Sequence, residues 1–232
     1  MDKKQYKLLL EVLRRFKEKG ILKSIILIGS WCIPFYKKYY KELKNISALR
    51  TRDMDLLVPL TAKFKAKLSV YELIKDLGFE EEFFGREGYI KLIHAYLSLE
   101  FLVPQKGGEN DKPYELSQLG INAQSLPFLD MLTKETITIE IDGIEVILPH
   151  PVIFAFHKLA ICKRRTGPEK KEKAGKDKKV AIQILNDFIA AKEIAPIKGF
   201  FRSLHKNRKS SITRVLEDEG EDIILEVLNE ES

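Results

Sequence analysis

The chain has 232 residues, 44% of them hydrophobic and 32% charged, with a net charge of +6. That length suits one large domain or two small ones, and the apolar fraction is enough for a sizeable core. The longest apolar runs, Val152–Phe156 and Ile25–Ile28, fall far short of the roughly 20 residues a membrane span needs. The charged N-terminus MDKKQYK is not a secretory leader, and Cys32 and Cys162 offer neither a disulfide framework nor metal-ligand spacing. A reducing cytoplasm is therefore expected and no membrane partner; collagen-like, disulfide-rich and wholly disordered classes are excluded.

The charge is uneven. Between Lys158 and Lys179 ten lysines and arginines stand against three acids, whereas Glu217–Glu231 holds eight acids and no base. The basic block suits phosphate, as nucleotide or nucleic acid, or is a solvated helix face. The acidic tail predicts a helix docked by Ile223, Ile224, Val227 and Leu228.

In chain order, Tyr6, Leu9, Leu10, Leu13 and Phe16 recur at helical spacing and predict an amphipathic helix over 3–19, ended by Gly20. Residues 24–28 read as a short buried strand broken by Gly29-Ser30, with a helix following through WCIPFYKKYYKEL. Residues 53–58, DMDLLV, read as a strand stopped by Pro59, and TAKFKAKLSVYELIKDLG as a helix closed by Gly78. Two strands are expected over 80–103, then a polar loop over 105–128. TITIEIDGIEVILP alternates on both sides of Asp142-Gly143, a hairpin signal. After Pro151 helices are expected over 151–165, 177–191, 197–207 and 211–229, the first two joined by the connection TGPEKKEKAGKDKK. The fold class is α+β: a mixed β-sheet core with helices over 1–150, then a helical C-terminal domain over 151–232.

Three features align for chemistry. A strand ends in Gly29-Ser30 at a helix start, a second strand opens Asp53-Met54-Asp55, and a third carries Glu100 within LSLEFLV. Residues two apart on a strand share a face, so Asp53 and Asp55 present paired carboxylates. Such a pair repels itself unless a cation intervenes, and hard oxygen ligands suit Mg²⁺. Glu100 on a neighbouring strand would complete a site for two metals, converging beside the Ser30 turn; it must face the same side of the sheet to do so. Gly29 lets backbone approach a phosphate, and Ser30 with the helix-start N–H groups offers donors to it. Trp31 suits either base stacking or the core, and the four histidines show no zinc spacing.

LIGSW, TRDMDLLV and LEFLV together resemble the nucleotidyltransferase superfamily that includes DNA polymerase beta, and are most similar to its minimal and abortive-infection-toxin-type bacterial and archaeal members. GIEVILPHPVIFAFHKLAICKRR…GKDKK is similar to a toxin-type segment in which Lys158, Arg164 or Arg165, and Lys176-Asp177 take the matching places. The resemblance spans roughly residues 20–190. The stretch between Ser30 and Asp53 is longer than in the smallest members, and Lys178 to Ala181 lack the further aspartate of the toxin-type pattern.

The resemblance implies transfer of a nucleoside monophosphate from an NTP, ATP among them, to a hydroxyl of RNA, such as a tRNA end, or of a protein. Asp53, Asp55 and Glu100 would hold two Mg²⁺ ions, or Mn²⁺, with Glu100 as base; Gly29, Ser30, Lys158, Arg164 and Lys176 would bind the nucleotide. The alternatives are a non-catalytic nucleotide- or RNA-binding module, or a toxin–antitoxin component, on the same fold.

Overall fold

The structure, a computed structural model, describes residues 3–46, 51–85, 88–105, 112–163 and 168–230. They fall into two compact units, Met1–Phe35 with Leu49–Pro149, and Tyr36–Ala48 with His150–Ser232.

In the first unit, helix α1 (Lys3–Glu18) buries Leu9, Val12, Leu13 and Phe16 along one stripe. Arg15 clamps Asp76, with Nη2 to Oδ2 at 2.8 Å. The guanidinium's hydrogen bond holds that carboxyl below its ordinary value, overcoming the opposing effect of burial. Strand β1 (Ile26–Ile28) is buried throughout, and a 3₁₀ turn over Gly29–Trp31 leads into α2 (Cys32–Tyr39). Strand β2 (Asp53–Leu57) runs antiparallel to β1.

Residues 61–69, expected as helix, are not helical; only Val70–Ile74 (α3) is, with a 3₁₀ turn after it. Leu68 N–H donates to the Gln118 carbonyl at 2.9 Å, Val70 N–H to the Leu119 carbonyl, and Phe64 N–H to Gln118 Oε1. These partners replace an intrahelical ladder, and Ser69 then caps α3 by accepting from Glu72 N–H.

The segment over 80–103 holds three strands rather than two: β3 (Glu80–Phe84), β4 (Tyr89–Ile93) and β5 (Ser98–Pro104). Gly85, in the left-handed region at φ 72°, turns the first run back into a hairpin. The expected loop over 105–128 contains β6 (Tyr114–Leu116) and β7 (Ile121–Leu126). Strand β7 pairs parallel with β5 and antiparallel with β6, completing a seven-stranded mixed sheet whose main path is β1-β2-β5-β4-β3. Strands β8 (Thr136–Ile141) and β9 (Ile144–Pro149) form the expected hairpin around Asp142-Gly143 as a separate sheet. Tyr6 Oη donates to Asp142 and Lys17 Nζ to the Gly143 carbonyl, tying that hairpin to α1. One face of the main sheet is core: Met54, Leu56, Leu92, Leu99 and Phe101 are fully buried, and Phe16 of α1 meets Phe101 with centroids 6.4 Å apart.

The second unit centres on α4 (Pro151–Cys162), buried from Pro151 to Ala160. A helix apolar on all sides belongs inside a bundle. Helices α5 (Pro168–Ala190), α6 (Ala195–Ser203), α7 (Lys206–Glu219) and α8 (Asp222–Asn229) follow. Two expectations change here. Helix α5 starts nine residues before the expected 177, its Glu172–Lys176 pair at 2.6 Å spaced one turn apart. The expected helix over 211–229 is split, because Gly220 at φ 69° caps α7. Ile224, Val227 and Leu228 dock, while Ile223 remains exposed. Among the described residues no helix is long and apolar enough to cross a membrane.

Asp187 Oδ2 is buried without a hydrogen-bond partner, although Oδ1 accepts from Gln183 at 2.7 Å. Burial raises this carboxyl above its ordinary value against the lowering effect of Gln183. A raised acid contributes stability below its unfolded pKa and loses it as pH climbs through the folded one. Asp187→Asn should therefore melt higher than the parent at neutral pH, with the gap closing as pH falls below the ordinary aspartate range, read from melting curves across pH.

Candidate active site

The face of the main sheet that carries the candidate residues is set by register. Asp55 is the Cα partner of Glu100 across the parallel β2–β5 pair, and Asp53 of Ser98. Register partners point to the same face, as do residues two apart. Asp53, Asp55 and Glu100 therefore share the face opposite Met54, Leu56, Leu99 and Phe101. Asp53 is exposed; Asp55 and Glu100 are half-buried.

The Gly29–Trp31 turn meets this face at Asp55. Ile28 is the register partner of Asp55, and Gly29 sits at φ +73°. A Cβ at position 29 would stand 2.1 Å from Asp55 Oδ2. Only glycine lets the carboxylate and the turn approach so closely. Ser30 is half-buried beside it. Trp31 is core, 3% exposed and stacked on Phe35.

Lys91 on β4 is a site residue that pattern reading did not single out. It is the register partner of Glu100, with Nζ 3.0 Å from Oε2. The ammonium lies 5.1 Å from the Phe84 ring centroid and 5.8 Å from that of Tyr89. Burial pulls the lysine's pKa down, but the hydrogen bond and charge of Glu100, with Tyr89 and Asp53, outweigh it and leave the value raised. The sequence shows it only as a lysine between the apolar Ile90 and Leu92, a pattern that does not say what lies across from it.

The donor set suits a hard divalent cation: carboxylate oxygens on one face, with a glycine-made notch beside Asp55. Among the described residues no three His, Cys, Asp or Glu side chains are gathered closely enough to hold a metal ion. Glu100 is ion-paired with Lys91.

The remaining residues expected from the sequence to bind a nucleotide belong to the second unit. Lys158 Nζ is buried against Asp177 Oδ1 at 3.1 Å, the two side chains 7% and 3% exposed, and lies over the Phe154 ring. Lys176 is exposed and paired with Glu172. Arg164 lies outside the described residues. The basic block meets the acidic tail within this unit: Lys163 pairs with Asp218 at 2.6 Å and Lys178 with Glu219, while Lys198 pairs with Glu230 at 2.7 Å. His150 and His205 cap α4 and α7 through Nδ1, and His94 Nδ1 accepts from Tyr96 N–H.

A mixed sheet with flanking helices, carrying a glycine-serine turn beside strand carboxylates, defines an α+β protein. The family described as Nucleotidyltransferase matches residues 7–195, and the chain belongs to it. It is an enzyme of nucleotide transfer. No curated protein matches the sequence. The crystal structure of an antigenic nucleotidyltransferase-like protein from Paracoccidioides brasiliensis is similar in fold: 15% identity, TM-score 0.53, covering 95% of this chain and 92% of that one. The solution structure of the antibiotic-resistance factor ANT(2'')-Ia matches with 13% identity and a TM-score of 0.38 over 98% of this chain and 91% of that one, too distant to bear on the reading.

Two predictions test this geometry. Gly29→Ala should cost both the left-handed backbone penalty of about 1–2 kcal/mol and the clash with Asp55. Gly143→Ala, at φ +77° with nothing within 4 Å of its added Cβ, should cost only the former; urea unfolding of both variants gives the comparison. In the second unit, Lys158→Met should destabilise by about 3 kcal/mol, because it leaves the buried Asp177 without its ammonium. The same unfolding assay should show most of that loss recovered in Lys158→Met combined with Asp177→Leu.

Proposed function

We propose that the chain moves a nucleoside monophosphate from an NTP, ATP in the first instance, to a hydroxyl of RNA and releases pyrophosphate. The observation that carries this reading is the register-matched Asp55–Glu100 pair, with Asp53, beside the Gly29–Ser30 turn. Family membership supports the chemistry, and the net charge of +6 favours a polyanionic acceptor.

Two Mg²⁺ ions, or Mn²⁺, held by Asp53, Asp55 and Glu100 would supply positive charge against the phosphates during an in-line displacement. The chain's own residues do the rest. The Ser30 hydroxyl donates to phosphate oxygens, and Gly29 lets the turn that carries it close on the Asp55 carboxylate. The notch at Gly29 fixes where the Asp55 carboxylate stands relative to that turn. Glu100 takes the proton of the acceptor hydroxyl as its oxygen bonds to the α-phosphorus and the bond to pyrophosphate breaks. The first unit alone provides these groups, and the roles that the resemblance assigns to Lys158 and Lys176 are not needed for them.

The test is incubation with each of four labelled NTPs, Mg²⁺ and total RNA, in parent and Asp55→Asn proteins. Label should pass to RNA in the parent and fall at least about a hundredfold in the variant, roughly 2.7 kcal/mol of transition-state stabilisation. The variant should keep its circular dichroism spectrum, while the rise in melting temperature that Mg²⁺ brings to the parent should shrink. Label on protein would change the acceptor and keep the chemistry. No transfer from any NTP, with no Mg²⁺ effect on melting, would leave a non-catalytic binding module, the reading that the Lys91–Glu100 pair would then favour.

A further inference from the structure

Three adjacent strands place charged side chains in one row on the site face. Glu82 on β3 is the register partner of Lys91 on β4, which is the register partner of Glu100 on β5. Lys91 stands between two carboxylates and holds Glu100 at 3.0 Å. Glu82, on the edge strand, is exposed. Side chains of register partners begin about 5 Å apart, and lysine's flexible four-carbon stem reaches either neighbour. The rings of Phe84 and Tyr89 flank the ammonium and favour it wherever it lies over their faces. The Lys91 and Glu100 side chains are 22% and 12% exposed, so the pair is more shielded than an open surface ion pair.

We propose that Lys91 is a resident counter-cation of the carboxylate site: it occupies Glu100 until a divalent cation loads, then moves to Glu82 and the Phe84–Tyr89 rings. This rests on the metal-dependent reading above. Lys91 is a positioning residue here, acting through Glu100. Its consequence is competition. The site's apparent affinity for a divalent cation is reduced by the fraction of molecules in which Glu100 is free of Lys91. Glu82 sets that fraction from the other side, by giving the released ammonium a partner.

The test is direct binding of Mn²⁺ to the purified full chain, with free ion read by electron paramagnetic resonance, and circular dichroism confirming the fold. Lys91→Met should bind Mn²⁺ at least about fivefold more tightly than the parent, since the competing ammonium is gone. Glu82→Gln should bind more weakly than the parent, because Lys91 then has less reason to leave Glu100. Should Lys91→Met fail to fold, Lys91→Arg carries the test. It keeps the charge, grips Glu100 through a two-pronged donor, and should bind Mn²⁺ more weakly than the parent. Equal or weaker binding in Lys91→Met, with Asp55→Asn abolishing the parent's binding, would overturn the counter-cation role and leave the metal reading standing. Mn²⁺ bound by neither the parent nor Lys91→Met would overturn both.

Discussion

The parallel pairing of β2 with β5 is the constraint from which the site follows. Met54 and Leu56 on one strand and Leu99 and Phe101 on the other are fully buried on the same face. Because strand side chains alternate, burying these four obliges Asp53, Asp55 and Glu100 to share the opposite face. A slip of one residue in either strand would drive a carboxylate into the core. Burial of large apolar side chains is worth about 1.5–3 kcal/mol each. Repulsion between two charges at 4 Å is about 1 kcal/mol in water and about 4 kcal/mol near a protein surface. The hydrophobic face therefore keeps on one side of the sheet acidic residues that their own charges alone would not bring there.

Charge compensation is local in both units, which changes what the net charge of +6 means. In the second unit, Lys163, Lys178 and Lys198 are each paired with an acid of the C-terminal segment, Asp218, Glu219 and Glu230. The lysine-rich block and the acidic tail are thus partly complementary surfaces of one helical bundle. Lys158 goes further inward and is used up by Asp177. In the first unit Lys91 plays the corresponding part toward Glu100, but from a half-buried position on a face that still carries Asp53 and Asp55. The same residue type therefore has an interior role at 158 and a position open to exchange at 91.

What could be read from sequence was what short-range chemistry decides. The Asp142-Gly143 hairpin, the Gly29-Ser30 break and the Asp53-x-Asp55 strand each need only their own neighbours to be recognised. Strand β7 alternates Ile121, Asn122, Ala123 and Gln124 with the odd positions buried, yet its surroundings are polar and its pairing partner β5 is distant in sequence. Residues 61–69 carry helix formers, but the N–H groups of Phe64 and Leu68 find the side-chain and backbone oxygens of Gln118 instead of helical partners. Glu172 and Lys176 show the reverse: charged residues read as a connection are good helix formers at one-turn spacing. Lys91 was invisible for a different reason. Its meaning depends on the β4–β5 register, and no local pattern states which glutamate will lie across from it.

Gly29 shows how tightly the two halves of the candidate site are bound to one another. The Asp55 carboxylate occupies the space where any other residue at 29 would carry its Cβ. The turn that presents Ser30 and the strand that presents Asp55 thus meet in space that only glycine leaves open. Moving the turn outward would open a gap over Asp55, and moving it inward would collide with the carboxylate. Since Ile28 is held in register with Asp55 by the β1–β2 ladder, neither element can shift alone. A phosphate bound at the turn and a cation bound at Asp55 would accordingly meet in a geometry set by the backbone of β1 and β2 before either arrives, which is the kind of preorganisation that lets electrostatic groups act on a transition state without rearranging first.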